Sequence, residues 1–328
     1  MSKLDLLQQR WYEDRPPPWW TQPLTALYGG AASLRRTLYR RGWLRARKLA
    51  VPVIVVGNIV AGGAGKTPLT IALVEGLREY GFKPGVVSRG YGGSAREPMV
   101  LGGQPDAGVV GDEPTLIRLR TGVPVAIGAK RPEAARLLLA DGVDVIVADD
   151  GLQHYALARD IEICVVEGAR RFGNGRLLPA GPLREPPSRL RTVDFIVCNG
   201  GEPQANEVPM RLRMEDAHNL AGGFGRPLSA FAGQRVHAVA GIGNPGRFFE
   251  ALRECGINVI EHPFPDHHRY AEDDFKFGDA LPVLMTEKDA IKCHAFAEND
   301  WWSVPVSAKF PESFFGAVAM RVAQPRNG

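Results

Sequence analysis

Residues 53–68, VIVVGNIVAGGAGKTP, constrain the fold more than any other stretch of the chain. Four β-branched residues, Val53–Val56, read as a buried strand, and an apolar-periodic segment from residue 66 to 80 reads as a helix. Between them the glycines Gly62, Gly63 and Gly65 let backbone N–H groups converge on an anion at a helix N-terminus. Residues 60–67 (Val60, Ala61, Gly62, Gly63, Ala64, Gly65, Lys66 and Thr67) are therefore the expected nucleotide-binding loop. Lys66 is placed to reach the β- and γ-phosphates and Thr67 to ligate magnesium. The usual spacing G-x-x-x-x-G-K-[ST] fails at Val60, where the first glycine belongs.

The same alternation continues along the chain. Gly85–Ser88, Val143–Ala148, Ile161–Val166 and Phe195–Cys198 read as strands, and 132–140 as a helix. Short apolar runs alternating with helices predict an α/β fold, a largely parallel sheet of P-loop NTPase type with helices on both faces. The rhythm lapses in a Gly-, Pro-, Asn- and Glu-rich stretch and resumes with Val236–Ala240, a helix at 245–255, Val259–Ile260 and Val283–Met285. The expected organisation is an N-terminal arm at 1–48, a nucleotide-binding domain at 49–205, a linker or hairpin at 206–230, and a second, smaller α/β domain at 231–328.

Charge is uneven. Residues 1–50 hold ten Lys/Arg against three Asp/Glu (Asp5, Glu13 and Asp14), so the net +4 of the chain originates in the arm. Such an arm suits an anionic partner, a nucleic acid or an acidic membrane surface. Within it Leu24, Leu27, Tyr28, Ala31, Leu34 and Leu38 recur at helical steps, followed by Arg35, Arg36, Arg40 and Arg41 and flanked by Trp19, Trp20 and Trp43. This describes a helix lying in the headgroup layer, and equally one packed on the protein's own core with a solvated basic face. Prolines 16–18 and 23 leave only about twelve helix-compatible residues, roughly 18 Å of rise against a hydrocarbon core of roughly 30 Å. The segment is too short to span. The four cysteines form no C-x-x-C pair and read as reduced thiols, with neither a disulfide frame nor a zinc site.

Three further features carry chemistry. Asp149–Asp150 follow the Val143–Ala148 strand, where a P-loop enzyme holds its metal. Asp112, in G-D-E-P (111–114), fits either an N-cap or a base that accepts a proton from an attacking hydroxyl. His267, in F-P-D-H-H (264–268), is a plausible acid/base partner of a carboxylate.

Taken together, VVGNIVAGGAGKTP, VSRGYGG (87–93), GDEP, DDGLQH (149–154), RRFGNG (170–175), LPAGPLRE (178–185) and MTEKDA (285–290) resemble the tetraacyldisaccharide 4'-kinases of lipid A synthesis. The resemblance runs in order from about residue 15 to the C-terminal region. It implies transfer of the γ-phosphoryl of ATP to the 4'-hydroxyl of an acylated glucosamine disaccharide lipid, at the cytoplasmic face of the inner membrane. It also implies ATP on residues 60–67, with Mg2+ on Thr67, Asp149 and Asp150. Asp112 would be the general base, assisted by His267 from the second domain on closure. Whether Glu113 or Glu167 joins the metal shell stays open. The arm's partner would be anionic lipid, not nucleic acid. The competing reading is a switch-type NTPase that binds partners. Its guanine motif [NT]-K-x-D is approached only by T-E-K-D at 286–289, with the lysine one place late.

Overall fold

A strand of β-branched residues is stable when covered on both faces, and Val53–Gly57 (β1) is buried along its whole length. The structure, a computed structural model, describes residues 10–13 and 15–324; Asp5, Asp14 and the first residues of the arm lie outside them. Around β1 are Pro84–Ser88 (β2), Met99–Val100 (β3), Val125–Ile127 (β4), Val145–Ala148 (β5), Ile161–Glu167 (β6), Phe195–Asn199 (β7) and Glu207–Met214 (β8). A second group comprises Ala217–Asn219 (β9), Gly225–Arg226 (β10), Arg235–Ala240 (β11), Asn258–Pro263 (β12), Val283–Thr286 (β13) and Trp301–Val304 (β14), and Val306–Lys309 (β15) follows. Among the described residues the first sheet runs β15-β8-β7-β6-β1-β5-β2-β4-β3 and the second β10-β9-β14-β13-β11-β12. From β4 to β8 neighbours are parallel; the edge strands β3 and β15 pair antiparallel.

The helices are Thr21–Arg40 (α1), Lys66–Glu79 (α2), Ala107–Val110 (α3), Asp112–Thr121 (α4), Arg131–Leu138 (α5), Pro245–Glu254 (α6), Glu287–Cys293 (α7) and Ser313–Ala323 (α8). Alternation along β1 separates two cores. Ile54 and Val56 pack with Leu69, Leu73 and Leu77 of α2, and Val53 and Val55 with Ala134, Ala135 and Leu138 of α5.

Two expected boundaries change. Of the linker or hairpin expected at 206–230, the hairpin is present, as β9 and β10 pair antiparallel in the second sheet, but β8 joins the first sheet through Ile196–Glu207 to Asn199–Met210 pairing. Nor does 231–328 stay together. After β14, Pro305 interrupts the strand, and β15 returns to pair with β8 while α8 buries Phe314, Val318 and Val322 beneath the first sheet. Composition hid this because β8 alternates buried and solvated positions and carries Glu207, Arg211 and Arg213, as an outer strand can. The chain thus crosses between sheets twice, at Glu215–Asp216 and at Pro305, and Glu215 N–H donates to Pro305 O at 2.9 Å.

Helix α1 lies on the body through its small and polar face. Thr25 Oγ1 donates to Leu177 O (3.4 Å) and accepts from Ala180 N–H (3.1 Å), and the Tyr28 hydroxyl donates to Arg184 O (3.1 Å). At Gly29 the helix approaches the body closely, and an added Cβ would stand 2.9 Å from Leu177 Cδ1, so that side chain would have to move. Tyr28 therefore leaves the expected apolar stripe, while Leu24, Leu27 and Leu34 face outward, with Trp19 82% and Trp43 72% exposed. No described helix is long and apolar enough to cross a membrane.

The return of the C-terminus is testable. Phe314 is buried, stacks on Phe310 at 4.8 Å and meets Phe195 edge-on at 5.8 Å. Phe314→Ala is expected to cost about 3–5 kcal/mol in chemical denaturation. A cost below about 1 kcal/mol would mean that α8 is not part of that core.

Candidate active site

The glycine loop joins β1 to α2, and two of its residues occupy the left-handed region, Gly62 at φ 105° and Gly65 at φ 89°. A Cβ on Gly65 would lie 2.3 Å from Asn199 Nδ2, which itself donates to Ala64 O at 3.0 Å. Asn199, at the end of β7, thus braces the loop from the side. Gly62–Thr67 face a cleft of about 640 Å³ between the two sheets. Val60 and Ala61 do not. Val60 is buried and bridges Leu183, and Ala61 N–H donates to Pro182 O at 2.7 Å. The displaced glycine is explained: position 60 is a packing residue tied to the 177–185 turn, and the anion cradle begins at Gly62.

The two aspartates after β5 have different surroundings. Asp149 is fully buried; its Oδ1 accepts from Thr70 Oγ1 at 3.0 Å, and its Oδ2 has no hydrogen-bond partner. Burial, with Glu113 and Asp150 nearby, pushes its carboxyl up to about 7. Asp150 lines the cleft at φ 46°. Burial would raise its carboxyl, but Lys66 (Nζ to Oδ1 3.6 Å), Arg184 (3.3 Å) and Arg131 outweigh it and hold it low.

Asp112 is the first residue of α4, and Gly111, not a side chain, caps that helix. Its carboxylate is free for another partner, which comes from beyond the second sheet's β12. His267 Nδ1 lies 3.1 Å from Asp112 Oδ2. The histidine sits at φ 62°, a conformation rare outside glycine, and its ring meets Tyr91 edge-on at 5.1 Å. Burial would raise the Asp112 carboxyl; the His267 hydrogen bond and the charges of Lys292 and Lys288 hold it below the usual range instead. Of this pair His267 lines the cleft and Asp112 stands behind it.

Several participants had no signal of their own in the sequence. Arg131 is buried and donates through Nη1 to Asp150 O at 2.7 Å, fixing the turn after β5. Arg247 of α6 reaches Asn199 Oδ1 at 3.1 Å, and Gly243 lies against Gly63, where a Cβ on Gly243 would stand 2.9 Å from Gly63 N. Lys288 and Lys292 of α7 flank the dyad. Glu113 pairs with Lys288 at 3.6 Å, and Glu167 pairs with Arg170. Arg184 and Lys288 fall inside quoted motifs, LPAGPLRE and MTEKDA, but only folding brings them to one cleft.

A glycine loop at a helix N-terminus thus shares one cleft with a histidine backed by a carboxylate, an arrangement suited to phosphoryl transfer. The profile of the tetraacyldisaccharide-1-P 4'-kinases matches residues 18–323. The chain belongs to the tetraacyldisaccharide 4'-kinase family. A tetraacyldisaccharide 4'-kinase of Stenotrophomonas maltophilia (strain R551-3) is 54% identical over 323 residues, 95% of each chain. One from Xylella fastidiosa (strain M23) is 52% identical over 327 residues, 96% of each. Among solved structures, the "apo" form of LpxK from Aquifex aeolicus in complex with ATP matches with a TM-score of 0.77. It is 29% identical and covers 92% of this chain and 97% of its own.

Gly65→Ala tests the cradle, because it combines a strained φ with the 2.3 Å approach to Asn199. ATP affinity is expected to fall about tenfold or more by titration calorimetry, the strain alone being of order 1–3 kcal/mol. Unchanged affinity would show that the loop tolerates a side chain there.

Proposed function

We propose that this chain, an ATP-dependent 4'-kinase of a tetraacyldisaccharide lipid A precursor, carries out the transfer with Asp112 and His267 acting as one base. The observation that carries this reading is the 3.1 Å contact between Asp112 and His267, whose imidazole lines the same cleft as the glycine loop. A carboxyl held low is by itself a weak proton acceptor. Joined to an imidazole, the side chain suited to proton transfer near neutral pH, it forms a base whose protons belong to the pair. The 4'-hydroxyl loses its proton to this pair as its oxygen bonds the γ-phosphorus, and the bond from that phosphorus to the β,γ-bridging oxygen breaks to release ADP. Lys66 and the Gly62–Thr67 amides stabilise charge on the phosphates.

Magnesium fits the residues present. Asp149, buried next to Asp150 at the end of β5, has an orphaned oxygen and a carboxyl raised by burial, which is the condition a cation relieves, and Thr67 and Asp150 line the cleft. Thr67, Asp149 and Asp150 would hold the ion, which when bound offsets charge on the phosphate oxygens. His267 and Gly243 come from the second sheet and the loop from the first, so closure of the cleft aligns base with phosphate and excludes water. The switch reading loses its motif. Thr286 caps α7 by accepting from Asp289 N–H, and Asp289 is buried against Gly241 N–H (2.9 Å) and Lys292.

Helix α1 is the proposed membrane contact, at the inner face of the inner membrane. It is docked on one face, and Trp19, Leu27, Leu34 and Trp43 face away from the body beside Arg35, Arg40 and Arg41. Anionic lipid suits this surface better than nucleic acid, since the outward face is apolar.

Two experiments follow. Asp112→Ala and His267→Ala are each expected to lower kcat about 100-fold or more with ATP binding retained, and the double variant to be scarcely worse than either. Multiplicative losses, or wild-type turnover of His267→Ala, would remove the pair from the chemistry. For the helix, Leu27→Glu with Trp43→Glu is expected to abolish co-sedimentation with anionic vesicles while leaving the melting temperature unchanged. Undiminished sedimentation would place the lipid contact elsewhere.

A further inference from the structure

The wall of the cleft formed by α7 carries two lysines that the transfer described above does not use. Lys288 Nζ lies 3.5 Å from His267 Nε2, 3.3 Å from Asp266 Oδ1 and 3.6 Å from Glu113 Oε1. Lys292, one turn on, stands at the other side of the dyad, 3.9 Å from Asp112 Oδ2 and ion-paired with Asp289 at 2.8 Å. An ammonium has three N–H donors and no acceptor. Facing it, Nε2 of His267 can only accept. An imidazole that accepts at Nε2 carries its proton on Nδ1, and Nδ1 is the atom 3.1 Å from the Asp112 carboxylate, which can only accept in turn. Two independent contacts therefore specify the same tautomer.

We propose that Lys288 is a positioning residue of the phosphoryl transfer: its ammonium, on the cleft wall, engages the Nε2 lone pair and holds His267 as the Nδ1–H tautomer that donates to Asp112. This deepens the Asp112–His267 reading and rests on it. Lys288 is suited to the task because three carboxylates surround it. Burial would lower its ammonium, but Glu113, Asp266 and Asp112 outweigh burial and keep the charge. The groups beside the imidazole are Asp112 from α4, Asp266 from its own loop, Lys288 from α7, and Tyr91 through its ring edge, while Glu113 and Lys292 stand one contact further out, paired with Lys288 and Asp112. Asp289 is engaged by Thr286 Oγ1, Gly241 N–H and Lys292.

Removing the Lys288 charge takes the only cation in contact with Nε2 among the described residues and leaves the Asp112 and Asp266 carboxylates beside the ring. The base must be unprotonated to act, so its loss of activity on acidification moves to higher pH. In Lys288→Met the acid limb of kcat/KM is expected to shift upward by about one pH unit. Lys288→Arg keeps a donor-only cation and is expected to keep the wild-type limb. A second measurement needs no turnover: 15N spectra of histidine-labelled full-length protein. His267, identified by its absence in His267→Ala, is expected to report the Nδ1–H tautomer in the wild type and in Lys288→Arg, and a mixture in Lys288→Met. A Lys288→Met protein with the wild-type limb and the wild-type tautomer overturns the proposal, as does a uniform loss of kcat across pH with the tautomer unchanged. The spectra separate the two readings. If His267→Ala turns over like wild type while the tautomer still follows Lys288, the dyad's catalytic role fails and the tautomer assignment stands.

Discussion

The hydrogen bond between Asp112 and His267 is the contact on which the rest of the site depends, because its two ends belong to different sheets. Asp112 is delivered by the first turn of α4 and His267 by the loop after β12, so the 3.1 Å separation holds only while the sheets keep one relative position. That position is set by the two crossings at Glu215–Asp216 and Pro305, tied by a backbone hydrogen bond, and by Arg120 of α4, which pairs with both Glu215 and Glu287. Neither sheet brings all of these groups together alone: the glycine loop and the aspartates after β5 belong to the first, and His267 reaches its carboxylate partner only from the second.

Charge in the cleft alternates closely enough that each group's state is decided by its neighbours. Asp150 and Asp112 are held low by the cations beside them, whereas Asp149, buried with Thr70 as its hydrogen-bond partner, is pushed up. Burial acts on all three and a positive partner decides between them.

The 177–185 turn connects helix α1 to the glycine-loop end of the cleft. Its Leu177 and Ala180 hold Thr25 of α1, its Pro182 and Leu183 hold Ala61 and Val60, and Arg184 both donates its N–H to Ile59 O at 2.7 Å and reaches Asp150. The same turn thus joins the docked face of α1 to the element that borders the glycine loop.

The local sequence determined the strand, glycine loop and helix at residues 53–79, since β-branched runs, positive-φ glycines and helical periodicity act over a few residues. It also marked Asp112, Asp149, Asp150 and His267 as groups with chemistry to perform. Tertiary structure alone decided which of them meet. It set Val60 into the core, took Asp112 from capping to pairing with His267, and brought Arg131, Arg184, Asn199 and Lys288 around the cleft from four separate segments. It also returned β15 and α8 to the first sheet, which no local pattern in 306–323 indicated. The physical reason is range: propensity and turn geometry are fixed by near neighbours, while a carboxylate's partner is fixed by sheet order and by the path of the chain between sheets.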